Sequence, residues 1–236
     1  MNFKKGEVLY FNKPLTWTSF KLVSHVRYNL CRKLKIKKLK VGHAGTLDPL
    51  ATGVMIICTG KATKKIEQFQ YQTKEYVTAI QLGATTPSYD LEKEIDAVYP
   101  TRHITEEMVI ETLKSFTGEI QQIPPAFSAC KIDGARAYDL ARKGKEVELK
   151  SKLLVIDEIE LLECNLPEIK IRVVCGKGTY IRALARDIGE ALNSGAHLTG
   201  LTRTRIGEIT LDQCLDVDAL PEWLEQQVIE MEEENN

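Results

Sequence analysis

No stretch of the 236-residue chain is long and apolar enough to cross a bilayer. The longest unbroken apolar run, Val54 to Cys58, falls far short of the roughly 20 residues that a helical span needs. The amino terminus, MNFKKGEVLYF, lacks the roughly 7–15-residue apolar region of a secretion signal, so the chain is expected in the cytoplasm with no membrane partner. Its cysteines, Cys31, Cys58, Cys130, Cys164, Cys175 and Cys214, include no C-x-x-C pair and mostly sit in apolar stretches, which argues against disulfides and a zinc site. Lysine and arginine are absent after Arg205, whereas ten acids fall between Glu208 and Glu234. Repeats, low-complexity segments and flexible linkers are absent as well, so a single domain over 1–236 is expected, with 207–236 as its acidic tail.

The residues that are present describe a globule. A composition of 43% hydrophobic and 28% charged residues is too apolar for disorder and too polar for a membrane. Residues 1–206 hold 32 basic and 23 acidic groups, a net of +9 that suits an anionic partner such as RNA. The densest basic patch is RKLKIKKLK, Arg32 to Lys40, which reads equally as phosphate-binding or as a solvated helix end with cations at its negative pole.

Periodicity supplies the elements. VLYFNKP reads as a strand stopped by Pro14, and Ser19 to Leu34 as a helix with Leu22, Val26, Leu30 and Leu34 on one face and Thr18 or Ser19 as its cap. GHAGTLDPLATG is a structured loop leading into a buried strand, VMIICT. A short helix around Ala62 to Phe69, a strand KEYVTAIQLG, a polar loop through Asp90 and a helix from Glu106 to Phe116 follow. Residues 118–146, with adjacent prolines and basic groups interleaved with Phe127 and Tyr138, read as a long functional loop. Strands LLVIDEIELLE and IKIRVVC then lead into a helix capped by Thr179, with Ile181, Leu184, Ala185, Ile188 and Leu192 as its buried stripe. From about Ile206 a short strand and an acidic helical tail close the chain.

Several chemistries fail on spacing. ATGVMIICTGKAT has Met55 and Ala62 where a nucleotide loop needs glycine and a hydroxyl, and Gly176 to Gly178 is too short for a dinucleotide fingerprint. His25, His103 and His197 lack partners at metal or triad spacing. Asp48 and Arg182 remain. On spacing alone Asp48 is a turn-former before Pro49; Arg182, in the first turn of its helix, faces an unfavourable dipole and calls for a carboxylate or phosphate, unless it reaches back to solvent.

VGHAGTLDPLATGV resembles the signature loop of the TruB family of tRNA pseudouridine synthases. KPLTWTS at Lys13 to Ser19, KEYVTAIQLG at Lys74 to Gly83, IPPAFSACKIDGARAYDLARKG at Ile123 to Gly144, GTYIRALARDIG at Gly178 to Gly189 and HLTGLTRTRIG at His197 to Gly207 resemble further family blocks in the family's order. The resemblance implies an α+β pseudouridine synthase fold with a mixed, largely antiparallel central sheet flanked by helices and loops. It implies Asp48 as the catalytic aspartate, Tyr76 as a base-stacking tyrosine and Arg182 as the aspartate-pairing arginine, with His43, Tyr180 and Leu201 at positions that hold the flipped-out nucleotide. Thr16 stands where the family usually has glycine, and Thr202 where a second arginine is common before Arg203. The small RNA-binding PUA domain of typical bacterial members is not expected, since the chain resembles the short, catalytic-domain-only form.

The implied activity isomerises the T-loop uridine at position 55 of tRNA and requires no cofactor, because no electrons or groups are gained. Asp48 can add covalently, at the anomeric carbon or at carbon 6 of the ring, or stabilise positive charge at the anomeric centre; a third route deprotonates the ribose, with Tyr76 as the base. The uridine must be extruded and held between flat surfaces, which Tyr76 and Tyr180 can supply, although either also reads as a core aromatic. The 118–146 loop can close over the T stem-loop with Lys131, Arg136, Arg142 and Lys143. A monomer is expected. The competing readings are a synthase acting on another RNA and a non-catalytic protein that folds tRNA.

Overall fold

The computed structural model describes residues 1–128 and 149–230, together with the backbone of two short strands, Lys131–Ile132 and Ala135–Arg136. The chain packs as two compact units, Met1–Lys74 with Thr202–Asn236, and Glu75–Leu201.

In the first unit β1 (Val8–Lys13) runs antiparallel to β3 (Ala51–Thr59), from Val8 opposite Cys58 to Lys13 opposite Gly53. β2 (Val41–His43) flanks β3, also antiparallel. β3 is apolar along nearly its whole length because both faces are covered. One face places Met55 and Ile57 with Leu9 and Phe11 against helix α1 (Ser19–Lys33), whose Leu22, Val26 and Leu30 enter the same core. The other face packs Val54, Ile56 and Cys58 with Ala44, Ala62, Ile206 and Ile209. Thr18 caps α1, its side chain accepting from the Lys21 amide at 3.0 Å. The expected short helix is a 3-10 turn, Gly60–Lys65, running into α2 (Ile66–Tyr71).

The second unit begins at Glu75, within β4 (Lys74–Leu82), where alternate residues Tyr76, Thr78, Ile80 and Leu82 are buried. A small pair, β5 (Ala84–Thr85) with β6 (Ala97–Val98), precedes α3 (Glu106–Ser115), which Thr105 caps. The segment expected to be all loop after 118 instead starts with a strand, β7 (Gly118–Gln122). It is followed by β8 (Lys131–Ile132) and β9 (Ala135–Arg136); residues 129–130, 133–134 and 137–146 of the expected clamp lie outside the described residues. β7 pairs antiparallel with β10 (Lys152–Asn165), which pairs antiparallel with β11 (Glu168–Cys175). Helix α4 (Ile181–Ala191) follows.

The chain passes from the second unit back to the first along β12 (Ala196–Ile206), then forms β13 (Ile209–Thr210), β14 (Leu215–Asp216) and α5 (Leu220–Gln226). Strand order is β14-β1-β3-β12-β4-β11-β10-β7, with β13 on β12 and β2 on β3. β14 joins β1 in parallel, so the expected α+β class with a mixed, largely antiparallel sheet is what forms. β12 is the element that periodicity missed, because its buried positions include His197 and Arg203 rather than an alternating apolar set.

Candidate active site

Asp48 sits half-buried in the loop between β2 and β3. Every side of that loop is tied down. The amide of Leu47 donates to Ser19 Oγ at 2.8 Å and the Ser19 hydroxyl donates back to the Leu47 carbonyl at 2.8 Å. The amides of Ala51 and Thr16 donate to the carbonyls of Asp48 and Pro49, at 3.1 and 2.8 Å.

Two buried cations complete the frame. Lys13, fully buried at the end of β1, donates to the carbonyls of Trp17 at 2.6 Å, Pro14 at 3.0 Å and Pro49 at 3.5 Å. Arg203, 2% exposed, donates through Nε to the Val54 carbonyl at 2.9 Å and through Nη2 to that of Gly45 at 3.1 Å. Burial pulls the Lys13 ammonium down to about 8; the Asp48 carboxylate opposes this and Arg203 adds to it, so three charges share the loop. Burial also pushes the His43 imidazole below its usual value, with the Gly45 carbonyl opposing and Arg203 reinforcing. The Nδ1 of His43 is buried without a hydrogen-bond partner among the described residues.

Two residues set apart from the family pattern belong to this frame. Thr16 has φ +68°, in the left-handed region where glycine is at ease, so the turn keeps its glycine-like geometry with a threonine in it. The Thr202 hydroxyl pairs with that of Thr52 at 2.9 Å. Gly53 is a third special position: with φ +107°, an added Cβ would come 2.2 Å from the Arg203 carbonyl oxygen.

In the second unit Arg182 lies in the first turn of α4 and is 4% exposed, so it does not reach back to solvent. It donates to the carbonyls of Ser88 at 2.9 Å and Phe127 at 2.8 Å, and its Nε stands 3.7 Å from Asp90 Oδ2. One turn on, Arg186 covers the Tyr89 ring at 5.0 Å and donates to the Ile123 carbonyl at 3.1 Å. The helix therefore grips both the 86–90 loop and the segment entering the expected clamp.

The cap expected from Thr179 is not made. Tyr180 is the N-cap and has no side-chain cap bond, while Thr179 donates to the Gly176 carbonyl at 3.3 Å. Gln122 of β7, fully buried, takes over: its amide oxygen accepts from the Tyr180 N–H at 2.9 Å and its NH2 donates to the Tyr180 carbonyl at 3.2 Å.

The structure thus places His43 at the end of β2 and Asp48 in the loop that follows it, and Tyr180 and Arg182 together at the start of one helix. Tyr76 is buried on β4, and Leu201, half-buried on β12, is the last residue of the second unit. Arg142 and Lys143, and the side chains of Lys131 and Arg136, lie outside the described residues. Sequence reasoning missed Lys13 and Arg203 as loop anchors and Gln122 as a helix cap. The histidines set aside from chemistry have structural partners: His197 and His103 bond to the carbonyls of Ala84 and Leu192, each at 2.9 Å.

Residues 32–181 match the family model for the N-terminal domain of TruB family pseudouridylate synthases, and residues 182–234 that for the tRNA pseudouridylate synthase B C-terminal domain. A curated relative from Bacteroides fragilis, named tRNA pseudouridine synthase B, is 80% identical over 98% of this chain and 99% of its own length. One of the same name from Flavobacterium johnsoniae is 53% identical over 94% and 98%. Among solved structures, the crystal structure of a Cbf5-Nop10-Gar1 complex superposes with a TM-score of 0.69 at 29% identity, over 94% of this chain and 56% of that one. An archaeal box H/ACA sRNP Nop10-Cbf5 complex gives 0.67 at 26%, over 94% and 54%. This chain therefore spans little more than half the length of those solved chains.

Proposed function

The chain belongs to the TruB family of pseudouridylate synthases, and from that premise we propose that it converts the T-loop uridine of tRNA to pseudouridine in the cytoplasm, with Asp48 as the reacting carboxylate. The observation that carries this reading is the investment of structure in one half-exposed aspartate. A mere Asp-Pro turn needs no buried lysine and arginine, yet Lys13 and Arg203 fix the carbonyls on either side of it. Buried cations that bond the backbone on either side hold a loop in one geometry, which is what a reacting carboxylate requires.

The reaction breaks the bond from the ribose anomeric carbon to N1 of uracil and forms one to C5, while C5 loses a proton and N1 carries one in the product. The balance needs no cofactor. Asp48 supports the positive charge that builds at the anomeric carbon, by adding to it or by standing beside it as the base turns. Arg182 is proposed to pair with the aspartate and aim it, and Tyr76 to stack on the extruded base. His43, Tyr180 and Leu201 are proposed to frame the nucleotide, with Lys131, Arg136, Arg142 and Lys143 clamping the stem-loop.

The test is single-turnover incubation of the purified protein with an unmodified tRNA transcript, with nucleotide-resolution mapping of the product beside a binding titration. Wild-type protein is expected to modify the T loop and no other uridine. Asp48→Asn, which keeps size and turn propensity, is expected to bind tRNA with similar affinity and to form no detectable product. Appreciable product from Asp48→Asn, free of wild-type enzyme, overturns the catalytic role; product only in another RNA overturns the substrate.

A further inference from the structure

Helix α1 has a second face. Its core stripe, Leu22, Val23, Val26 and Leu30, is buried. On the opposite side Phe20 is 72% exposed and Tyr28 64% exposed, and Lys21 and Arg32 are exposed with them. At about 100° per residue these four fall on one side of the helix, with Tyr28 nearly opposite the core. Beneath them Lys21 Nζ lies 4.2 Å from the centroid of the Trp17 ring, which meets His25 edge-on at 5.4 Å.

Beyond the end of α1 this face opens into a groove of about 390 Å³, lined by Asn29, Arg32, Lys33 and Lys35 on one side and by Pro221, Leu224 and Glu225 on the other. Lys33 is paired with Glu225 there, whereas Arg32 and Lys35 have no carboxylate partner among the described residues. Charge is equally one-sided: from Val8 to Leu47 the chain has nine lysines and arginines and no acid at all.

A solvated helix end accounts for the cations but not for two large aromatics turned to water. A protein-docking face accounts for the aromatics but is ordinarily poor in lysine. Flat apolar rings interleaved with uncompensated cations match a partner that is both polyanionic and stacked, which is RNA. The track also starts in a fitting place, because Ser19, next to Phe20, is the residue bonded to Leu47 beside Asp48.

We propose that the outer face of α1, from Phe20 through Tyr28 to Arg32 and the Lys35 groove, is an RNA-contact track that holds substrate outside the modified loop. Only the identity of the RNA rests on the function proposed above. From Phe20 to Arg32 the helix rises roughly 18 Å, enough to follow several nucleotides.

The experiment compares Phe20→Ser/Tyr28→Ser, Arg32→Gln/Lys35→Gln and Phe20→Tyr/Tyr28→Phe in titrations with an unmodified tRNA transcript at several salt concentrations, with melting curves and sedimentation alongside. The serine pair is expected to weaken binding at least about tenfold through lost stacking, and the conservative pair to restore it. The glutamine pair is expected to lower the slope of log affinity against log salt by about 2. In the unaltered chain, photo-crosslinking to the same RNA is expected to mark Phe20 or Tyr28, whether or not a variant folds.

Wild-type binding and salt slope in well-folded serine and glutamine pairs overturn the proposal. So do crosslinks that spare α1 while marking other segments, or a serine pair that abolishes self-association but not RNA binding. A wild-type protein that binds RNA through α1 but makes no pseudouridine overturns the proposed reaction and leaves the track standing.

Discussion

At the scale of single residues, the loop around Asp48 is built from side chains whose individual energetics are unfavourable. Lys13 is a fully buried ammonium, tolerated because three carbonyls accept from it. Lys13→Met removes the buried charge but takes the donor from the Trp17 carbonyl, while the carbonyls of Pro14 and Pro49 keep the amides of Trp17 and Thr16, so a net loss of about 1–3 kcal/mol is expected in denaturant titrations. The pH dependence of that loss has a definite sign. Folded Lys13 releases its proton near 8 and the unfolded chain near 10.5, so between those values the unfolded state binds more protons and wild-type stability rises with pH. The variant lacks this gain, and the gap between the two should therefore widen from pH 8 to 10; a constant gap would return Lys13 to an ordinary ionisation. Thr16 is strained in a simpler way. At φ +68° its Cβ costs about 1 kcal/mol, so Thr16→Gly should melt higher than wild type, less the smaller entropy penalty of glycine. A lower melting point would show that the threonine side chain makes a contact that outweighs its backbone strain. Asp48 and Arg182 were legible as candidates because a named motif and an awkward dipole drew attention to them. Lys13 was not, since a lysine before proline gives no sign of being buried.

At the scale of elements, regular helices and alternating strands were readable wherever one face meets a core and the other water. α1 and α4 show their stripes, and β4 alternates as expected. Legibility failed where polar groups are buried. β12 hides His197 and Arg203, and β7 ends in Gln122, whose buried amide looks in sequence like part of a polar loop. That amide has the larger consequence, because it replaces the cap that Thr179 was expected to supply and so fixes the turn from which Tyr180 and Arg182 project. Gln122→Leu should cost about 1–3 kcal/mol by orphaning the Tyr180 N–H, the Tyr180 carbonyl keeping the Leu184 amide, and should lower turnover as well. Gln122→Glu, which keeps the acceptor and loses the donor, should fall between the two; a fully active, fully stable Gln122→Leu would mean that the first turn of α4 is held elsewhere. Gly53→Ala tests the neighbouring strand. Its Cβ would lie 2.2 Å from the Arg203 carbonyl at a φ of +107°, so a loss of at least about 3 kcal/mol is expected from melting curves.

At the scale of the whole molecule, charge is sorted along the chain: residues 1–206 carry +9 and the remainder only acids. Nearly all of this was legible in the sequence, because net charge does not depend on which side chains are buried. What the sequence left open was which cations remain available. Lys13 and Arg203 are buried and bond backbone carbonyls and Lys33 is held by Glu225, whereas Lys21, Arg32 and Lys35 lie exposed. If about five phosphates are neutralised, the slope of log affinity against log salt should be near −4, so tRNA binding should weaken roughly 10²-fold between about 50 and 200 mM salt. Single-turnover conversion at saturating enzyme should change far less, since the groups anchoring Asp48 are buried and poorly screened. Glu225→Gln supplies the opposite-sign control: by releasing Lys33 it should tighten tRNA binding severalfold at low salt and steepen the slope by about 1. Titrations of both proteins across the same salt series decide the matter. A flat wild-type slope would assign affinity to stacking and shape alone, and a Glu225→Gln slope equal to that of wild type would place Lys33 away from the RNA.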